Sequence, residues 1–169
     1  MDQIPKLTDA QIDEITKEVE DITLNNSKSV AELYATIGNS IHYSSDVRLA
    51  HEFSKTLLEK IPTSQSTISI PKAMSLLSGS SSLTLKAAVE GGGNFWQRIK
   101  DKIKKVVCSN EVIKKFFTGD GSLKEAVTTL IPIILSALGL SALNPLLLAA
   151  LVAIIALLIK EGYSKFCQL

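Results

Sequence analysis

Apolar residues recur as Ile12, Ile15, Val19 and Ile22 in an otherwise acidic stretch, a spacing that lines one face of a helix. That helix is opened by Thr8-Asp9-Ala10-Gln11, a capping box in which the Thr8 hydroxyl accepts from the Gln11 amide and the Gln11 side chain reaches back. Leu7 and Ile12 fit the accompanying hydrophobic staple, and Asn25-Asn26 marks the end. A second box, Ser29-x-x-Glu32, opens a stripe of Val30, Leu33, Ile37 and Ile41. A third stripe from about Asp46 runs Leu49, Ala50, Phe53, Leu57 and Ile61 until Pro62 stops it. Residues 1–61 are thus expected to form a small amphipathic three-helix bundle.

Periodicity then lapses. From Pro62 to Gly93 the chain is dense in Ser, Thr and Gly, with Ser78-Gly79-Ser80-Ser81-Ser82 separating short apolar pieces, so this stretch reads as a linker. Ile68 to Pro71 suits an extended piece, Leu85 to Glu90 a turn or two of helix, and Gly91-Gly92-Gly93 a flexible end. A new helix is expected from Asn94, with Gln97 three residues later. Its apolar side is Phe95, Trp96, Ile99, Ile103, Val106 and Val107, and Arg98, Lys100, Lys102, Lys104 and Lys105 occupy the rest. A break at Ser109-Asn110, a short piece with Ile113, Phe116 and Phe117, and the turn Thr118-Gly119-Asp120-Gly121 follow. Ser122-x-x-Glu125 then caps the last long segment.

That segment, Ala126 to Ile159, is 34 residues without a charge. Asn144-Pro145 sets a strong N-cap before a proline at a first helical position, which divides it into two arms of a hairpin. At 1.5 Å per residue the arms 126–143 and 145–159 would rise about 27 Å and 22 Å, against roughly 30 Å of bilayer hydrocarbon. The second arm, with Leu147, Leu151, Ile155 and Leu158 among its members, is apolar all round and has no face to show to water. On the first arm Thr129, Pro132, Ser136 and Gly139 form a strip of small, weakly polar residues, suited to seating the second arm or a neighbouring molecule. The fold class is all-α: three-helix head, linker, basic amphipathic helix and apolar hairpin, the last two forming one module over residues 94–169.

Charge sharpens this picture because it is segregated. Residues 1–60 carry 6 Lys/Arg against 11 Asp/Glu, net −5, whereas residues 94–125 carry 8 against 4, net +4. Basic groups flank the hairpin on both sides, Lys124 before and Lys160 and Lys165 after, which keeps both ends on one side of a membrane. Trp96 with the Lys-rich face suits a helix lying on anionic lipid. The layout of residues 94–160 is similar to pore-forming bacterial toxins of the colicin type, in which amphipathic helices enclose an apolar helical hairpin. The resemblance is architectural and implies membrane permeabilisation, with membrane-surface contacts at Trp96, Arg98, Lys100, Lys102, Lys104 and Lys105.

Other chemistry finds no support. His42 and His51 have no Cys, Asp or Glu partners at metal spacing, so neither metal nor cofactor is expected. No nucleophile elbow or phosphate-binding glycine loop occurs, and no enzymatic role or small-molecule substrate is expected. No helix-turn-helix, zinc or RNA-binding signature accompanies the basic stretch, which argues against nucleic acid. Cys108 and Cys167 are expected as free thiols, since the N-terminus lacks a cleavable secretory signal and a cytoplasmic origin follows. Gly91-Gly92 carries part of a double-glycine processing pattern releasing a basic, apolar peptide from near Gly93: Val89 suits it and Lys86 does not. The expected function is membrane association or permeabilisation on anionic lipid, alone or as a homo-oligomer. The alternative is an all-α soluble adaptor or assembly subunit with the hairpin buried in its core or in a partner interface.

Overall fold

A computed structural model describes residues 7–44, 74, 77, 84–138 and 145–168. Among them every element is a helix: α1 Asp9–Leu24, α2 Val30–Ser44, α3 Leu85–Cys108, α4 Glu111–Phe117, α5 Leu123–Leu138, α6 Pro145–Glu161 and α7 Tyr163–Cys167. The all-α class is therefore as expected. The third N-terminal helix, the extended piece at Ile68 to Pro71, Gly139 and the turn residue Asn144 lie outside the described residues.

Local signals formed as written. In α1 the Gln11 amide donates to Thr8 Oγ1 at 3.1 Å and the Thr8 amide donates to Gln11 Oε1 at 2.9 Å. The Ser29/Glu32 box closes in the same way at 3.2 and 3.1 Å. Asn110 caps α4 through the amides of Val112 and Ile113, and Ser122 accepts from the Glu125 amide ahead of α5. Pro145 is the first residue of α6, as its missing amide requires.

The described helices make contacts across the expected head and module. α1 turns Ile15, Val19 and Ile22 onto α5 and α6, and α2 packs on α3 and α6, so both find their main partners in the C-terminal half. One contiguous core joins Ile15, Ile37, Trp96, Ile134, Ile155 and Phe166. The reason lies in α6: a helix without a polar face must be covered on every side, and the stripes of α1 and α2 are the complementary surfaces. Met74 and Leu77, inside the expected linker, are helical and buried, and the Leu77 carbonyl accepts from Asn39 Nδ2 at 2.7 Å.

The start of the basic helix also differs. α3 is capped by Thr84, whose Oγ1 accepts from the Ala87 amide at 3.1 Å, and it runs unbroken through Gly91-Gly92-Gly93 past Asn94. A close crossing with α2 explains why. A Cβ on Gly38 would overlap the Ala88 backbone, and one on Gly92 would overlap the Tyr34 carbonyl. Tyr34 and Gly38 are one helical step of four apart, as are Ala88 and Gly92, so the two backbones touch along matching faces. The buried run Ala35–Ser40 shows how fully α2 is enclosed.

Candidate functional site

The basic face of α3 is smaller than the sequence suggests. Trp96 is only 2% exposed and packs against Phe166, with ring centroids 6.2 Å apart. It points inward with Ile99, Ile103 and Val107, so in this fold it is a core residue and not the surface anchor expected. Lys100 is engaged as well: its Nζ lies 2.6 Å from Glu161 Oε1, with the two side chains 18% and 13% exposed. Lys104 is half-buried. What water meets is Arg98, Lys102 and Lys105 beside Asp101, with the Arg98 guanidinium 5.6 Å above the Phe95 ring and Val106 left 49% exposed. At 100° per residue Lys100 falls at the edge of the buried stripe Trp96, Ile99, Ile103 and Val107, and the end of α6, through Glu161, draws it in.

A cleft of about 350 Å³ opens where α2, α3 and the C-terminal ends of α6 and α7 meet. Lys100, Lys160 and Lys165 line it with Glu161, over a floor that includes Trp96 and Leu157. Lys160 donates to Asn26 Oδ1 at 3.3 Å, tying the end of α6 to the α1–α2 turn. Cations at this end complement the free carbonyls of α6.

Leu151, Ile155 and Leu158 are buried in the centre of the molecule, and every residue from Leu148 to Leu158 is buried with them. Leu147 falls in the first turn of α6, its side chain outside the described set. α2 and α1 supply most of the cover of α6, with α5 and α7 contributing less. The small-residue strip does not seat α6. Thr129 is half-buried while Pro132 and Ser136 are exposed, because α5 turns Val127, Leu130, Ile131, Ile134 and Leu135 inward instead. Pro132 and Ser136 border a shallow groove shared with Lys102, Ile103 and Val106 of α3.

The expectation of free thiols is overturned: Cys108 and Cys167 form a disulfide with their Cα atoms 5.8 Å apart. The short α7 folds back so that Phe166 is buried, Tyr163 Oη donates to the Cys108 carbonyl at 2.7 Å, and the Tyr163 and Phe117 rings lie 5.7 Å apart. Across 59 residues no sequence pattern reports this approach; only the burial of Phe166 beside Trp96 brings the ends together. Closing a loop of that length removes about 4 kcal/mol of unfolded-chain entropy.

Comparison with protein-family models, curated proteins and solved structures finds no match to this chain. Among the described residues no cluster of three or more His, Cys, Asp or Glu is placed to hold a metal, and no helix is long and apolar enough to cross a membrane. His51 lies outside the described residues.

Proposed function

We propose that this chain is a membrane-associating helical protein, able to permeabilise anionic bilayers, seen here in a closed form with its apolar helix covered. One observation carries the reading: from Leu146 to Ile159 α6 is uncharged and apolar around its whole circumference, and its cover among the described residues comes largely from two separate amphipathic helices, α1 and α2. Ten or so large apolar side chains at about 1.5–3 kcal/mol each make α6 intolerable in water, so α1 and α2 can leave it only where lipid takes their place. Its 17 residues are short for a full crossing, which favours insertion at the interface or assembly of several copies. Arg98, Lys102 and Lys105 offer the first contact with anionic headgroups. The disulfide fits a place of action outside a reducing cytoplasm.

Dye release from phosphatidylglycerol-containing vesicles tests the reading, with phosphatidylcholine vesicles as the control. Release confined to anionic vesicles supports it. Monodisperse protein that neither binds nor leaks either kind favours the second reading, an adaptor or assembly subunit, for which the complete burial of Leu148 to Leu158 is the supporting observation.

A further inference from the structure

Three consecutive glycines in the middle of a helix are costly, each lowering local helix stability about fivefold relative to alanine. Packing accounts for one of them. Gly92 has the Tyr34 backbone against it and admits no Cβ. Gly91 is exposed with open space where a Cβ would stand, and a Cβ on Gly93 would make ordinary contact with the Tyr34 ring at 3.6 Å. Neither needs to be glycine for this fold. The two surplus glycines thus weaken α3 without serving its packing.

Their place in the chain is informative. Ala88, N-terminal to them, packs on Gly38 and Gly92, between them, packs on Tyr34, so the first turns of α3 belong with α2. C-terminal to them, the Cys108–Cys167 disulfide, the Lys100–Glu161 pair and the Tyr163–Cys108 hydrogen bond all join residues beyond 93 to one another. The pairs Lys124–Asp13 and Lys160–Asn26 do cross between the halves, but both are exposed and weakly held. The glycines therefore stand where the cover of α6 meets the covalently stapled segment that contains α6.

We propose that Gly91–Gly93 is a processing site at which an endopeptidase hydrolyses a glycyl-glycine bond, separating the covering residues from a disulfide-stapled segment that starts near Gly93. The inference rests on the membrane reading above and supplies its regulation. In the scission water adds to the Gly92 carbonyl carbon and the bond to the Gly93 nitrogen breaks. Gly92 is left as a carboxylate and Gly93 as an ammonium, and no redox partner is required. Peptidases bind extended chain, and Gly91 and Gly93 let this turn of α3 unwind where an alanine-containing helix would hold. Once the chain is cut, departure of α1 and α2 into solvent is no longer opposed by a covalent tether, and α6 is uncovered for lipid.

The full chain holds its only Gly-Gly bonds at 91–93, so a glycylglycine endopeptidase is a clean probe. It is expected to nick the folded protein there, with masses placing the cut inside Gly91–Gly93, and hydrogen exchange is expected to be at least tenfold faster at these amides than in residues 99–107. The double variant Gly91→Ala/Gly93→Ala should keep its helical circular dichroism, resist the probe and exchange as slowly as its neighbours. The nicked protein should release dye from phosphatidylglycerol vesicles at least tenfold faster than the intact chain, and protein recovered from the cells that make it should include a fragment starting at Gly92 or Gly93. Resistance of the native glycines to the probe, recovery of the intact chain alone, or measurable but equal dye release by intact and nicked protein would each overturn the processing site. Release by neither, with the nick and the native fragment both found, leaves the processing site standing and removes the membrane reading.

Discussion

The Cα of Gly92 in α3 stands against the backbone carbonyl of Tyr34 in α2, with no room between them for a methyl group. Gly38 and Ala88 repeat the relationship one step along the same crossing. This contact holds α2, and through it the cover of α6, to the first turns of α3.

Gly92→Ala and Gly38→Ala are therefore expected to destabilise the protein by about 1–3 kcal/mol each, because the obstacle is backbone that cannot rotate away. Gly91→Ala, which meets nothing, should instead add roughly 0.5–1 kcal/mol. Thermal melts of the three variants check the contrast, and equal behaviour at positions 91 and 92 would contradict the close crossing.

The disulfide gives a second expectation. Cys108→Ser/Cys167→Ser, or reduction of the parent, should cost about 2–4 kcal/mol, read as a lower urea midpoint. The loss should be the same by either route, since no other cysteine exists to re-pair.

Glu18 makes stability depend on pH. Its carboxyl is held above the usual glutamate range first by burial and then by Asp21, with Glu14 adding and Lys28 and Lys17 opposing. The folded chain thus binds this proton more tightly than the unfolded chain, and the contribution to stability falls as pH rises through the raised value. Glu18→Gln should melt higher than the parent at pH 7. The advantage should fade below the ordinary value of 4.5, where folded and unfolded chains are both protonated.

On anionic vesicles, charge reversal at Arg98, Lys102 and Lys105 should weaken binding by about 1 kcal/mol per residue, an effect that added salt diminishes. Lys100→Glu should act differently, lowering the melting temperature by breaking the Glu161 pair and setting two carboxylates together. The single tryptophan, Trp96, is buried, so its emission should change little on surface docking and shift strongly if the bundle opens.

What the sequence by itself determined is what neighbours along the chain can decide. Thr8 with Gln11, Ser29 with Glu32, Asn110 and Ser122 set helix ends through bonds spanning two or three residues, Pro145 sets one by lacking an amide, and those ends stand where the pattern puts them. The all-round apolarity of α6 is equally legible, because no tertiary contact can give Leu148 to Leu158 a polar face. Which surfaces meet that helix was decided only in three dimensions. A stripe announces that it will be buried, not against what, and so the pattern of α1 and α2 does not report that they pack on α6, more than a hundred residues away, with α5 and α3 beside it. The same limit governs Trp96, whose place on the apolar side of α3 does not say whether Phe166 or a lipid surface covers it, and Cys108 with Cys167, joined only because α7 folds back. Gly91-Gly92-Gly93 fails locally as helix, and there tertiary contact with Tyr34 outweighs propensity.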